Sequence, residues 1–556
     1  MIRSITFKFG AAISQEILHA ELAPITIFVG PNNSGKSRVL QEIENYCKTG
    51  VLRADNVILQ NLNLTDTVDY EAILTAYSLI PKINEYLDPE QIVFGNADKR
   101  FKIKKEHILQ FLKDPNQFAN YFCPFYLALN TTNLTGANRQ HLVNMQAGGN
   151  LKELPTNSLQ VLFGNNKKRG EVRRIIYDAF KKYFVIDPTH SGHLHIRLSD
   201  TCPRDEMQER GLHDDAVEFH KNALDIASSS DGVKAFTGII TTIIANEPKV
   251  MLIDEPEAFL HPSLAYKLGK EIGNTFNDKS RNLFVSTHSS NFLMGCIQSG
   301  VPLNIIRLTY SNYSPTARIL QNDKVLKLMR HPLLRSTGVL NGLFYEYVIV
   351  TEGDSDRAFY QEINERLLTF EPTKGIPNCL FLNAQNKQTI HEILGPLRAM
   401  GIPCVAIVDV DIIKEGGQVW SRLLESANVP QAIIESTNQL RATVIRKIKE
   451  SQINFKTNGG VQILSEADRE ECNHLFDQLN TYGLFPVRNG ELESWLKFLE
   501  VSTGKHGTNW LIEIFEKLGE DPTSSSYVKP QDNDVWDFIN SIKGWLDNPV
   551  RKGIVV

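Results

Sequence analysis

The sequence predicts an α/β protein built on two parallel sheets, one after the other along the chain. Three observations predict it. An apolar run at 25–29 (ITIFV) leads through a glycine-rich turn into a helical pattern. From about 220 to 325, apolar strands return between helices. From 346 onward, YVIV, CLFL and VAIV alternate with helical stretches. Strands that alternate with helices argue for parallel sheets. A chain of 556 residues holds about two to four domains at roughly 150 residues each.

The elements follow in order. Ile5, Phe7 and Phe9 alternate with Thr6 and Lys8, the period of a half-buried strand. The run at 25–29 suits a central strand buried on both faces. Val39, Leu40 and Ile43 then recur at helical spacing. Helical patterns dominate from 51 to about 210. At 171–184, Val172, Ile175, Ile176 and Phe180 share one face, flanked by Arg173, Arg174, Lys181 and Lys182. This reads as a solvated basic face on a packed helix, with a phosphate-contacting surface as the alternative; the basic stretch 99–105 (KRFKIKK) reads the same way. Residues 235–245 (AFTGIITTIIA) read as a buried helix. Residues 331–345 connect the two sheet regions, and the only linker-like composition is near 521–527.

Lys+Arg total 59 and Asp+Glu 64, a net charge of −5. This excludes a globally basic nucleic-acid coat, but not a local patch. The N-terminal MIRSITFKFG has no apolar core of a secretory signal, and no run reaches the ~18–20 apolar residues of a membrane span. Seven scattered cysteines without CxxC fit free thiols, and the expected location is cytoplasmic.

Gly30, Pro31, Asn32, Asn33, Ser34, Gly35, Lys36 and Ser37 match G-x-x-x-x-G-K-S/T, followed by Arg38. Backbone N–H groups of such a loop curl round phosphates. Lys36 reaches the β/γ-phosphates, and the Ser37 hydroxyl ligates Mg²⁺. The helix N-terminus adds its positive dipole end. The cofactor expected here is ATP. The apolar strand before Asp254 and Glu255 delivers an acidic pair to a strand's C-terminal end, where α/β ligand sites lie. Asp254 is placed to hold Mg²⁺ through water, and Glu255 to orient or deprotonate the attacking water.

DEPEAFLHP, with His288 in FVSTHSS 34 residues after Asp254, resembles the ABC-type ATPases of the RecF/SMC group. The resemblance implies that His288 is the switch histidine contacting the γ-phosphate. It also implies that Ser230 and Gly232, in SSDGVK, belong to the signature; Asp231 stands where the first of its two glycines is usual. No glutamine is assigned to the Q-loop. Two heads of that family sandwich two ATPs, which implies at least a homodimer. Lys36 and Asp254 are 218 positions apart, leaving room for a mainly helical insert at about 60–210 within an ATPase head spanning 1–330.

The run at 347–350 ends in Thr351, Glu352, Gly353, Asp354, Ser355 and Asp356; that at 405–408 ends in Asp409, Val410 and Asp411. Right-handed crossovers bring both strand ends to one edge of the sheet. The converging carboxylates repel unless Mg²⁺ or Mn²⁺ neutralises them, and such clusters serve metal-dependent phosphodiester cleavage. The EG…DxD pair resembles the Toprim domain, with Glu352 as its acid/base glutamate and also a member of its metal set, and Asp409 and Asp411 as metal ligands. An ABC-type head followed by Toprim (346–556, with a C-terminal helical extension) is similar to the OLD (overcoming lysogenization defect) nucleases. That resemblance implies Asp356 and Glu493 as further metal ligands and Lys505 as the lysine facing the scissile phosphate. It also implies DNA as substrate, a role in phage defence, and a helicase or retron partner. The expected activity is an ATPase joined to a metal-dependent DNA endonuclease or nickase. The alternatives are an ATP-gated DNA-binding scaffold with an inactive Toprim domain, and a topoisomerase-like strand-passage enzyme.

Overall fold

The computed structural model describes every residue except 13–14, 67, 279, 312–313, 321–324, 326–337, 451, 453, 503–506 and 555–556. The chain forms two compact units, Met1–Asn322 and Asp323–Val556.

The first unit is built on a six-stranded sheet. Its order is Ser314–Leu320, Leu303–Ser311, Ile25–Val29, Asn282–Ser286, Val250–Asp254, Thr131–Leu134. All neighbours pair in parallel except the edge hairpin Leu303–Ser311/Ser314–Leu320. Ile25–Val29 and Asn282–Ser286 are buried at every position, as strands covered on both faces must be. The helix Asp231–Asn246 contains the apolar run 235–245, and every residue of that run is buried. Ile2–Phe7 pairs antiparallel with His19–Glu21 and Leu59–Leu64. Ile5 and Phe7 are buried there, while Phe9 lies past the strand's end.

Two expectations are corrected. Residues 60–210 are mixed rather than mainly helical. Arg100–Lys104 alternates apolar and basic residues at the strand period and pairs with Gln91–Gly95, while Thr131–Leu134 belongs to the central sheet itself. The helix expected over 171–184 runs Asn166–Phe180 instead. Lys181 takes the left-handed conformation (φ 57°), its N–H donating to Tyr177 O, and Tyr183–Asp187 then pairs antiparallel with His193–Ser199. The basic groups there are spent on protein partners. Arg173 and Lys182 pair with Glu209 and Asp200, and Arg174 with Glu271 at 2.9 Å. Arg100 meets Glu85 at 2.7 Å and Lys104 meets Glu90 at 2.9 Å. Arg173 and Arg100 are largely covered in these pairs, so their part of the face is packed against protein partners and not solvated.

The second unit has a four-stranded, all-parallel sheet ordered Cys379–Asn383, Tyr347–Thr351, Cys404–Asp409, Leu484–Val487. Pro486 sits in the edge strand, where a missing N–H is tolerated. An apolar cluster including Phe359, Ile363, Trp495, Trp510 and Trp536 joins the helix Asp354–Phe370 to the helices Thr508–Leu518 and Asp534–Asp547. Two buried arginines fasten the late segments. Arg398 donates to the carbonyls of Cys404, Ala427 and Gly553 at 2.9, 2.9 and 3.0 Å. Arg366 donates to Leu518, Val528 and Gly519 at 3.0, 2.8 and 2.6 Å. Of the expected connector, 331–337 lies outside the described residues, and Val339–Phe344 forms a 3₁₀ turn. No helix among the described residues is long and apolar enough to cross a membrane.

Candidate functional sites: a phosphate loop and an acidic cluster

The phosphate loop joins Ile25–Val29 to the helix Lys36–Thr49. Gly30 has φ 146°, and a Cβ there would lie 2.0 Å from Leu308 O, so only glycine fits. Asn33 and Gly35 are also at positive φ. Lys36 folds over the loop, its Nζ donating to Gly30 O at 3.0 Å and Pro31 O at 2.6 Å. Burial pulls its pKa down to about 8, against the opposing pull of Glu255 and Asp254. Ser37 Oγ donates to Asp254 Oδ1 at 2.9 Å, and the Ser286 hydroxyl bonds the same oxygen. Hydroxyl and carboxylate therefore meet where a hard divalent ion with its waters fits.

Glu255 follows at φ 50°, its N–H donating to Ser286 O at 2.9 Å. His288 Nε2 lies 3.6 Å from Glu255 Oε1. Burial, then the charge of Lys36, lowers the His288 pKa to about 4, so the ring is neutral at physiological pH. Two neighbours escaped sequence reasoning. Glu257 accepts the His288 N–H at 2.7 Å, and burial raises its pKa. Arg139, fully buried, donates to Glu255 O at 2.5 Å. Glu257 lies inside the quoted DEPEAF run; Arg139 has no local signal. Ser230 stands at the N-cap position of the helix Asp231–Asn246, without a side-chain capping bond. A Cβ on Gly232 would lie 2.7 Å from Phe259 O, so packing alone already requires glycine there. Asn32 is exposed, Ser34 is buried, and Arg38 lies 3.4 Å from Glu42.

The acidic cluster lies at the C-terminal ends of Tyr347–Thr351 and Cys404–Asp409. Glu352, Asp409 and Asp411 each offer a carboxylate oxygen, and these lie within 4.8 Å of one another. Asp409 N donates to Glu352 Oε1 at 2.9 Å, which locks the two strand ends together. Asp356, in the first turn of Asp354–Phe370, accepts the Gly353 N–H at 3.1 Å. Glu493 accepts the Gly507 N–H at 2.8 Å. Burial, then Asp409, pushes Glu352 up to about 8 and Asp356 up to about 7. Burial also raises Asp409, against the pull of Lys456. Asp354 turns to Arg357 (2.7 Å) and Asn383 (3.0 Å) instead. Lys505 lies outside the described residues.

Sequence reasoning missed the basic side of this site. Lys456 Nζ lies 2.7 Å from Asp409 Oδ2. Lys387 Nζ lies 3.0 Å from Asp411 Oδ2 and 2.8 Å from Glu415 Oε1. Burial is the largest pull on Lys456 and would lower it, but Asp409, Asp411 and Glu352 together outweigh it and hold the ammonium above its usual range. Asp411 Oδ1 is buried without a hydrogen-bond partner among the described residues. An all-oxygen donor set with one oxygen unspent fits Mg²⁺ or Mn²⁺.

Comparisons with known proteins bear on both units. Residues 174–294 match the family described as "AAA domain, putative AbiEii toxin, Type IV TA system". Residues 343–411 match "Overcoming lysogenization defect protein-like, TOPRIM domain". No curated protein matches the chain. Solved structures similar to it include an SMC head bound to the C-winged helix domain of ScpA (13% identity, 58% of this chain, 99% of that chain, TM-score 0.34). Another is the SMC head domain from Thermotoga maritima (12%, 58% and 99%, TM-score 0.29). A third is cbiO1 from Clostridium perfringens, part of an ABC transporter complex (14%, 61% and 98%, TM-score 0.27). The first unit is a P-loop ATPase domain, and the second carries a Toprim domain. The chain thus joins an ATPase domain to a Toprim segment that is similar to the OLD-like TOPRIM family.

Proposed function

We propose that this chain is an ATP-regulated, divalent-metal-dependent DNA endonuclease or nickase that acts in the cytoplasm as an antiphage effector. The observation that carries the reading is the convergence of Glu352, Asp409 and Asp411 at adjacent parallel strand ends. When bound there, Mg²⁺ or Mn²⁺ supplies Lewis-acid stabilisation of charge on the scissile phosphate. Asp409 and Asp411 hold that ion, and Asp356 and Glu493 complete the acidic set. Glu352, bonded to the Asp409 backbone, is oriented to move the proton of the attacking or leaving oxygen.

At the ATPase site, Lys36 exchanges its loop carbonyls for phosphate oxygens. Ser37 and Asp254 hold Mg²⁺, Glu255 orients water, and neutral His288 donates to the γ-phosphate. Asn32, Asn33, Ser34 and Arg38 border the nucleotide, and Ser230 and Gly232 present the signature to a second copy, so the working form is a homodimer or larger. A helicase or a retron reverse transcriptase with its nucleic acid is the class of partner that would trigger it. The test is incubation of the full chain with plasmid and linear DNA, with Mg²⁺ or Mn²⁺, with and without ATP. Metal-dependent nicks or breaks support the proposal. Binding without cleavage supports the scaffold, and covalent protein–DNA adducts support strand passage.

A further inference from the structure

Lys456 stands against the acidic cluster, although no motif places it there. Its ammonium lies 2.7 Å from Asp409, 3.8 Å from Asp411 and 3.8 Å from Glu491. The backbone behind it is fixed. A Cβ on Gly490 would lie 2.1 Å from Lys456 O, and a Cβ on Gly460 would lie 2.0 Å from Arg488 O. Val461 N donates to the same Arg488 carbonyl at 2.9 Å. The turn that carries Lys456 is thus seated against the loop that carries Glu491. The side chain is 30% exposed, so its flexible stem has a way out toward solvent.

A divalent ion needs the same carboxylates. Cation and ammonium cannot both sit against Asp409 and Asp411 without strong repulsion, since like charges a few ångströms apart outside bulk water are weakly screened. We propose that Lys456 is a tethered counter-ion of the Toprim site: it neutralises the cluster before metal arrives, the incoming ion displaces it, and it thereby sets the metal concentration at which the site loads. The inference rests on the reading that this cluster holds a divalent ion.

The test is calorimetric titration of the full chain with Mn²⁺, without nucleotide, for the wild type, Lys456→Met and Lys456→Arg. Removing the charge should tighten Mn²⁺ binding about tenfold, a step of about 1.4 kcal/mol, because the ion no longer competes with it. Lys456→Arg should bind as the wild type does. Unchanged or weaker binding by Lys456→Met overturns the proposal, and so does an arginine variant that binds as tightly as the methionine one. If Lys456→Met unfolds without metal, its melting temperature should rise more steeply with Mn²⁺ than that of the wild type; an equal or smaller rise overturns the proposal. Asp411→Asn separates the two readings. Mn²⁺ binding that survives Asp411→Asn unchanged places the metal elsewhere and refutes the parent reading instead.

Discussion

The two sites handle concentrated charge in opposite ways. At the phosphate loop the lysine rests on backbone carbonyls, and the acid Asp254 is held by the hydroxyls of Ser37 and Ser286. At the acidic cluster the carboxylates face one another, and lysines from distant segments hold them together. The first site is one turn of chain whose dipoles do most of the binding. The second is an assembly of side chains whose charges balance only collectively. A single substitution should therefore silence the first locally, while in the second it should shift the balance of the whole group.

The largest effect expected is for Lys36→Ala, which removes the phosphate contact; ATP turnover should fall to background in a phosphate-release assay while Mn²⁺ binding persists. Asp409→Ala comes next. Loss of a direct ligand should cost about 10³ in plasmid nicking, since a metal ion's Lewis-acid effect is worth several kcal/mol. Phosphate release should stay within about twofold in that variant. If Asp409→Ala nicks plasmid at the wild-type rate, cleavage arises elsewhere and the scaffold reading leads. Glu255→Gln should slow ATP turnover by about 10² or more while leaving nucleotide bound, as loss of a general base does. The smallest effect is for Asp354→Ala. This carboxylate is 71% exposed and spent on Arg357 and Asn383, so nicking should change by less than about threefold. A loss as deep as that of Asp409→Ala would place Asp354 inside the metal set.

The same contrast explains what was legible beforehand. His288 is legible only through the resemblance to ABC-type ATPases, whereas the phosphate loop lies within eight consecutive residues and Asp254 ends an apolar run, so local order makes both legible. Glu352 and Asp409 were legible for the same reason, since each closes a short buried strand. Lys456 was not, because its role comes from a turn seated by Gly460 and Gly490 and not from any periodicity. The edge strand Leu484–Val487 was missed as well. It is four residues long and contains Pro486, so propensity argues against it, and only pairing with Cys404–Asp409 forms it. In the first unit, Thr131–Leu134 carries two threonines and an asparagine, too polar to announce itself as part of a central sheet.

The buried arginines of the second unit limit how the protein can be dissected. Arg366 donates to the carbonyls of Leu518, Gly519 and Val528, and Arg398 donates to that of Gly553, all far along the chain from either guanidinium. A cleavage fragment or shortened expression product ending before Leu518 would take every carbonyl acceptor from Arg366, leaving it Glu362, and would take Gly553 from Arg398, which keeps Cys404, Ala427 and Gly483. Leaving a buried donor unpaired costs about 1–3 kcal/mol, and three such losses at Arg366 are a large part of the ~5–15 kcal/mol that keeps a domain folded. Proteolytic trimming of the last helices should thus act as an off-switch on the Toprim unit, unfolding it rather than releasing a smaller stable form.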